Sequence, residues 1–180
     1  MTPEVIDPPR TARQDRSHRT RPPGPPEGKT ITMTRTDTAA VTAATRAVVE
    51  EFLVRLAEGS PEHIAELYAG EADWYIAPNP AVPWIRPRST RADIADHWRE
   101  LAAGQENDPA GTRIDAVVVT GPDAVVTGTL AGTVRATGIR FTSPFALHFT
   151  VADGLIVRFR VIEDSLAVAA ACAPGAAAGR

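Results

Sequence analysis

The chain has 180 residues, of which 43% are hydrophobic, and a formal net charge of −3 at pH 7. This length predicts one domain with a sizeable core, and the small charge gives no general attraction to nucleic acid or to anionic membranes. Because Cys172 is the single cysteine, an internal disulfide and a cysteine-based zinc cluster are both excluded. No stretch reaches the roughly 18 apolar residues of a membrane span, and no secretory signal is visible, so we expect a cytoplasmic protein.

The two ends of the chain differ in composition from its middle. Residues 1–36 contain seven of the sixteen prolines, many arginines interleaved with acids, and few apolar side chains, which predicts a disordered tail. We expect one folded domain over residues 37–172 and a flexible tail over residues 173–180.

Three segments in the first half of the domain predict helices. The first spans about Ala39–Glu58, where apolar residues recur at helical spacing. Ser60-Pro61 begins a second helix that ends at Gly70, and the third spans about Thr90–Ala103. Thr90 and Asp93 have the spacing of a capping box.

The second half of the domain alternates between apolar and polar residues, as strands do. A short strand at residues 73–76 is followed by a proline-rich loop, and residues 104–112 form a polar loop. Four longer strands follow, at Arg113–Thr120, Ala124–Thr137, Ile139–Val151 and Leu155–Asp164, and then a short helix over Ser165–Cys172. This order predicts an α+β fold with three helices packed on one face of a curved, mainly antiparallel sheet.

The last two strands form a hairpin whose turn decides which side chains face the core. Ala152-Asp153-Gly154 predicts a three-residue loop, so paired residue numbers sum to 306. One face is then apolar, with Phe145, Leu147, Phe149, Val151, Val157, Phe159 and Val161. The other face carries Ala146, His148, Thr150, Arg158 and Arg160. A two-residue loop would shift the pairing by one residue and mix the two faces.

Two motifs carry a family resemblance. NPAVPW at residues 79–84 and ATGIRFTSPFALHFTVADGLIVRFRVIEDSLAVAAA at residues 136–171 resemble the SnoaL-like, ketosteroid isomerase-like branch of the nuclear transport factor two-like superfamily. The resemblance implies a cone-shaped half-barrel with a pocket between sheet and helices, a homodimer, and no cofactor. The superfamily includes isomerases, epoxide hydrolases, polyketide cyclases, dehydratases and binding domains, so fold alone does not settle function.

The best-known catalytic sets of that superfamily are missing here. Matching the motifs places Phe52, Ile76 and Leu147 where ketosteroid isomerases carry a tyrosine and two aspartates. It places Gly128, Leu130 and Val161 where limonene epoxide hydrolases carry their Arg-x-Asp pair and later aspartate. The same matching implies a pocket lined by apolar residues: Phe52, Trp74, Ile76, Trp84, Leu130, Phe145, Leu147, Phe159 and Val161. The alternative is that these residues fill the core and leave no cavity.

Glu163 and His148 are the candidate catalytic residues. Glu163 continues the inward alternation of the last strand, and a carboxyl in an apolar pocket has a raised pKa suited to acid–base work near neutral pH. The alternative is a surface carboxylate at a strand end. The predicted register puts His148 off the apolar face, with Arg158 and Arg160, where it binds an anion, joins a dimer interface or is solvated. A register shifted by one would bring His148 into the pocket as the base.

Other candidates have weaker signals. His97 and Asp93 have the i, i+4 spacing of helical metal ligands, but no third ligand is near in sequence. A cluster of arginines, Arg86, Arg88 and Arg91, is a possible clamp for an anion at the pocket mouth. Tyr68 and Tyr75 could each supply a phenol donor, but Tyr75 alternates away from its neighbours Trp74 and Ile76, and Tyr68, on the predicted second helix, is assigned to packing.

Two functions remain open from the sequence. The first is a cofactor-free enzyme of secondary metabolism that cyclises, isomerises or dehydrates a hydrophobic polyketide-, steroid- or terpene-like molecule. The second is a non-catalytic domain that binds such a molecule in the same pocket. The missing acids favour binding, whereas the resemblance favours an enzyme.

Overall fold

The computed structural model describes residues 35–173, in which helices and strands follow one another as the sequence predicts. The helices are α1 (Arg35–Glu58), α2 (Pro61–Glu66), α3 (Arg91–Gly104) and α4 (Ser165–Cys172). The strands are β1 (Tyr68–Ile76), β2 (Gln105–Asn107), β3 (Arg113–Thr120), β4 (Asp123–Val134), β5 (Arg140–Ala152) and β6 (Leu155–Glu163). The two predicted tails lie outside the described residues, apart from Arg35, Thr36 and Ala173.

The six strands form one mixed sheet with the order β1-β6-β5-β4-β2, and β3 pairs with the other half of β4. β1 runs parallel to β6, and the other pairs are antiparallel. α1, α2 and α3 pack on one face, where they bury the main hydrophobic cluster, so the predicted α+β half-barrel is confirmed. None of the helices within residues 35–173 is long and apolar enough to cross a membrane.

The turn between β5 and β6 differs from the prediction. Asp153 and Gly154 alone connect the strands, and Ala152 pairs directly with Leu155. Both turn residues have positive φ, 50° for Asp153 and 76° for Gly154, as a type I′ turn requires. The predicted three-residue loop is therefore wrong, because aspartate tolerates the left-handed conformation and the chain reverses in two residues.

A β-bulge at Val157 restores the predicted faces. Val151 pairs with Ile156 but Thr150 pairs with Arg158, so Val157 is an extra residue on β6. Beyond the bulge, paired numbers sum to 308 instead of 306, and since both sums are even the same side chains share a face. One assignment changes: Ile156, not Val157, is the fully buried residue beside the turn.

The second helix is shorter than predicted. α2 ends at Glu66 and β1 begins at Tyr68, so the predicted end at Gly70 is wrong. The carbonyl of Leu67 accepts a hydrogen bond from the Ile156 amide at 2.8 Å, which draws this segment into the sheet. The Arg91 guanidinium donates to the Tyr68 carbonyl oxygen at 2.7 and 2.9 Å. These contacts are distant in sequence, and they override the local helical pattern.

The third helix begins as predicted. The Thr90 hydroxyl accepts from the Asp93 amide, and the Asp93 carboxylate accepts from the Thr90 amide, which is a complete capping box. The predicted polar loop after α3 contains the short strand β2, whose Gln105 pairs with Val134 at the end of β4.

We expect Gly128→Ala to destabilise the fold. A Cβ at Gly128 would lie 2.2 Å from the Arg113 carbonyl oxygen and 2.9 Å from the Phe145 ring. Crowding of this kind costs about 1–3 kcal/mol in free energy of unfolding, measurable by urea denaturation. Gly70→Ala, in β1 with nothing within 4 Å of its added Cβ, is the control. Equal midpoints for the two variants would contradict the close approach at Gly128.

Candidate active site

The sheet face that meets α1 and α3, which we call the inner face, carries three successive rows of side chains. The first row contains Trp74, Phe159, Phe149 and Ala124. The second contains Ile76, Val161, Leu147 and Val126. The third contains Glu163, Phe145 and Gly128. Directly opposite residues share a face, so the register alone brings these eleven residues together from four strands.

Burial falls along these rows. In the first row Phe159 is fully buried and Trp74 is 8% exposed. Phe52 from α1 covers this row, with its ring centroid 5.1 Å from that of Phe149, and Trp98 from α3 lies 6.4 Å from Phe159. The third row has no such cover, and Phe145 is only partly buried. The inner face therefore runs from a filled core to a partly open, apolar end.

Glu163 lies at this open end, directly opposite Phe145 and on the same face of β6 as Phe159 and Val161. Burial raises the pKa of its carboxyl, and the charge of Asp164 adds to the rise. Within residues 35–173, no hydrogen bond or ion pair reaches this carboxylate. The arrangement is an acid–base group of raised pKa against an apolar wall.

Most of the predicted pocket wall converges on the inner face. Seven of the nine residues belong to, or pack against, the main cluster: Phe52, Trp74, Ile76, Phe145, Leu147, Phe159 and Val161. Trp84 and Leu130 instead belong to a second cluster beside α4. Trp84 packs flat on Gly104, where an added Cβ would lie 2.4 Å from its ring. Trp84 therefore lies in a different cluster from most of the predicted pocket wall, a distinction that the motif matching alone could not make.

Two surface clefts lie away from the inner rows. One, of about 330 Å³, is bordered by Trp84, Val134, Cys172 and the ion pair of Arg86 with Glu100. The other, of about 250 Å³, is bordered by Phe141 and the ion pair of Asp108 with Arg140. Their charged side chains already have partners, so neither cleft offers an unpaired acid or base.

His148 lies on the opposite, outer face of the sheet. It pairs with Arg160, and its Nε2 is 3.4 Å from a carboxylate oxygen of Asp123. Asp73 accepts from both Arg158 and Arg160 on the same face. The structure therefore does not bring His148 and Glu163 together, because the bulge kept the faces as predicted.

The remaining sequence candidates have structural partners. Asp93 caps α3, and within residues 35–173 no group of three or more His, Cys, Asp or Glu residues converges as a metal site would. Arg88 donates to Glu100 at 2.5 Å, Arg86 is 3.4 Å from the same carboxylate, and Arg91 holds the Tyr68 carbonyl. The predicted anion clamp is therefore engaged in holding the loop and α3 in place.

His97 is the inner group whose role the sequence did not indicate. It is 3% exposed, and its Nδ1 is 3.2 Å from the Trp84 carbonyl oxygen. A carbonyl accepts and cannot donate, so Nδ1 carries the proton and Nε2 is free to act as an acceptor. Burial lowers the pKa of His97 to about 4, against the opposing effect of the Trp84 hydrogen bond, and Arg88 lowers it further. His97 is neutral at pH 7.

Comparison with known proteins is consistent with this geometry. A family model described as the SnoaL-like domain matches residues 49–159, more than half of the chain. An NTF2-like protein from Burkholderia xenovorans is 21% identical, with 73% of this chain and 98% of that chain covered and a TM-score of 0.64. TsrD from Streptomyces laurentii is 26% identical, with coverage of 74% and 96% and a TM-score of 0.57. A candidate polyketide cyclase from Xanthomonas campestris is 15% identical, with coverage of 73% and 98% and a TM-score of 0.59. The search of curated proteins returned no match.

We expect His97 to make stability depend on pH. Its pKa is about 4 in the fold and 6.5 as a free side chain, so the unfolded chain binds more protons between these values. The contribution of His97 to the free energy of unfolding is fully present above pH 6.5 and falls by about 3 kcal/mol as the pH approaches 4. Urea unfolding at several pH values should show a shallower fall for His97→Gln than for the wild type. The exposed His63→Gln is the control, and parallel curves for His97→Gln and wild type would refute the assignment.

Proposed function

The chain belongs to the SnoaL-like domain family, and from that premise we propose that it is a cofactor-free cytoplasmic enzyme of secondary metabolism. Its substrate is a hydrophobic polyketide-, steroid- or terpene-like molecule bound on the inner face. Its reaction is an acid–base cyclisation, isomerisation or dehydration in which Glu163 transfers the proton. The observation that carries the proposal is the unpartnered carboxyl of Glu163, of raised pKa, at the partly open end of an apolar wall.

The chemistry requires one group that both takes and returns a proton. The Glu163 carboxylate removes a proton from a carbon next to a carbonyl, and the electron pair of the C–H bond moves into an enolate. In an isomerisation the carboxylic acid returns the proton to another carbon. In a cyclisation the enolate carbon attacks a second carbonyl, and the new alkoxide takes the proton. In a dehydration the departing hydroxyl takes it and leaves as water.

The apolar wall provides the remaining part of the rate acceleration. Ile76, Leu147 and Val161 offer no hydrogen bonds, so they hold a hydrophobic substrate by shape and exclude water from the reacting carbon. Holding one conformer beside a fixed base removes much of the entropic barrier. A raised pKa brings the carboxyl closer to the operating pH, where a general acid–base group is most effective.

A non-catalytic binding domain is the second candidate. The observation in its favour is that Glu163 is the only titratable side chain of the three inner rows. The isomerases and epoxide hydrolases that this chain resembles use two or more polar groups. The Xanthomonas protein described as a candidate polyketide cyclase supports the enzyme instead. The two candidates differ in whether bound ketones exchange protons.

We expect Glu163→Gln to abolish proton exchange without unfolding the protein. The assay incubates a panel of hydrophobic ketones of polyketide, steroid and terpene type in heavy water and follows deuterium incorporation by mass spectrometry. General acid–base catalysis contributes about 100-fold or more, so the variant should lose at least that factor. Because the folded pKa of Glu163 is raised, its stabilising contribution is lost as pH rises through that pKa. Glu163→Gln should therefore be at least as stable as wild type at pH 7.

Two controls separate catalysis from structure. His148→Ala on the outer face and Glu50→Gln on the exposed side of α1 should retain wild-type exchange. A Glu163→Gln variant that exchanges within tenfold of wild type would refute the catalytic assignment. Saturable ketone binding by the wild type with no exchange for any member of the panel would favour the binding domain.

We also propose that two copies associate through the outer face. Its exposed apolar side chains include Val118 at 62% and Ile162 at 61% exposure, with Val125 paired directly to Val118. Exposed apolar area on a sheet face marks an association surface. Asp73 lies beside Arg158 and Arg160 there, so a symmetric partner would meet charges of both signs.

We expect Ile162→Asp to shift the protein from dimer to monomer in analytical ultracentrifugation, because a buried unpaired charge opposes association. Leu166→Asp, at a residue that is even more exposed but lies on α4, is the control. A wild type that sediments as a monomer at all accessible concentrations would contradict this proposal and leave the catalytic one untouched.

A further inference from the structure

Four buried hydrogen-bond donors have no acceptor within residues 35–173: the hydroxyl of Tyr68, the indole Nε1 atoms of Trp74 and Trp98, and the Nε of Arg88. The first three belong to aromatic side chains of the core. Tyr68 is fully buried, and the two tryptophans are each 8% exposed. Buried donors are nearly always hydrogen-bonded, because an unsatisfied donor loses its interaction with water and gains nothing. Three such donors in one place require an explanation.

The aromatic rings that carry three of these donors lie close together, and His97 lies beside two of them. The Trp74 ring centroid lies 5.7 Å from that of Tyr68 and 6.0 Å from that of Trp98. His97 lies 4.9 Å from Trp74 and 5.1 Å from Trp98. The four rings join β1 to α3, so the donors belong to one seam between the sheet and the helix layer. All four residues are buried, so this grouping belongs to the core and not to the surface.

We infer that this seam binds a carbonyl oxygen of the ligand, with Tyr68, Trp74 and Trp98 as donors. The inference rests on the proposed function and names the polar group that its hydrophobic substrate must carry. Three donors outnumber the single acceptor atom, His97 Nε2, so the group they bind is an acceptor. Arg88, which lowers the pKa of His97, keeps its own Nε–H without an acceptor, but Glu100 neutralises its charge, so the oxygen bound in the seam is uncharged. A carboxylate would therefore be buried without a counter-charge.

The sheet register sets the length of this ligand. Trp74 belongs to the first inner row and Glu163 to the third, which is four residues along β6 from the partner of Trp74. Four residues of strand span about 13 Å. The substrate class is therefore an elongated hydrophobic molecule with two carbonyl groups, one held in the seam and the other beside the carbon that Glu163 deprotonates. Since the four rings fill the seam, the oxygen can enter only if these side chains move apart.

A matched pair of probes tests this recognition. Acetophenone carries the carbonyl, and α-methylstyrene has the same shape with a methylene group in place of the oxygen. Heteronuclear NMR of nitrogen-labelled protein resolves the indole N–H of each of the three tryptophans. We expect acetophenone to shift the Trp74 and Trp98 signals downfield and to leave Trp84, in the second cluster, unchanged. α-Methylstyrene should move neither signal downfield.

Tyr68→Phe removes one donor and nothing else. We expect acetophenone affinity to fall about threefold to tenfold, the value of one hydrogen bond, and α-methylstyrene affinity to stay constant. The thermal midpoint of the ligand-free variant should equal or exceed that of wild type, because the lost hydroxyl had no partner. Tyr75→Phe on the outer face is the control and should leave both affinities unchanged.

The possible results separate this inference from the proposed function. If both probes bind equally, or acetophenone shifts only Trp84, the carbonyl site is wrong while hydrophobic binding stands. If neither probe binds, the carbonyl site is wrong and the inner-face pocket loses its support. If the acetophenone shifts appear as expected but Glu163→Gln retains exchange, the carbonyl site stands and the catalytic role of Glu163 falls.

Discussion

The extra residue at Val157 is the constraint on which the inner face depends. The two-residue turn at Asp153 and Gly154 alone would set paired numbers to a sum of 307, and Phe159 would then share a face with His148. The bulge moves the pairing by one residue, so that Phe159 faces Phe149 instead. β1 pairs with β6 on both sides of Val157, and a register shift between Tyr68 and Asp73 places Trp74 opposite Phe159, in the same row. The two irregularities together keep the side chains of three strands in phase.

The helix layer covers this aligned face unevenly, so that burial changes from one row to the next. α1 and α3 press Phe52 and Trp98 onto the first row. In the third row, Phe145 and Glu163 are only partly buried. The raised pKa of Glu163 and the lowered pKa of His97 have the same cause, since burial disfavours the charged form of each.

The sequence predicted the parts of this structure that depend on periodicity. Alternation along β5 and β6 assigned Phe149, Phe159 and Glu163 to one face, and the capping box marked the start of α3. Contacts between distant segments could not be predicted in this way. Tyr68 follows a helical pattern, yet Arg91 and the backbone of β6 hold its segment in the sheet. The neutral state of His97 depends on the Trp84 carbonyl, thirteen residues away, which no local pattern records.

The two faces of the sheet treat polar groups differently, and this contrast argues for a ligand. On the outer face Asp73 pairs with Arg158 and Arg160, and His148 with Asp123. The inner side, where desolvation makes an unpaired polar group most costly, holds the donors and the carboxyl that lack partners within residues 35–173. A fold selected for stability alone would replace Tyr68 by phenylalanine and Glu163 by glutamine or leucine. Unpartnered polar atoms at such a cost are the reason for which we propose the inner face as the ligand-binding side of this chain.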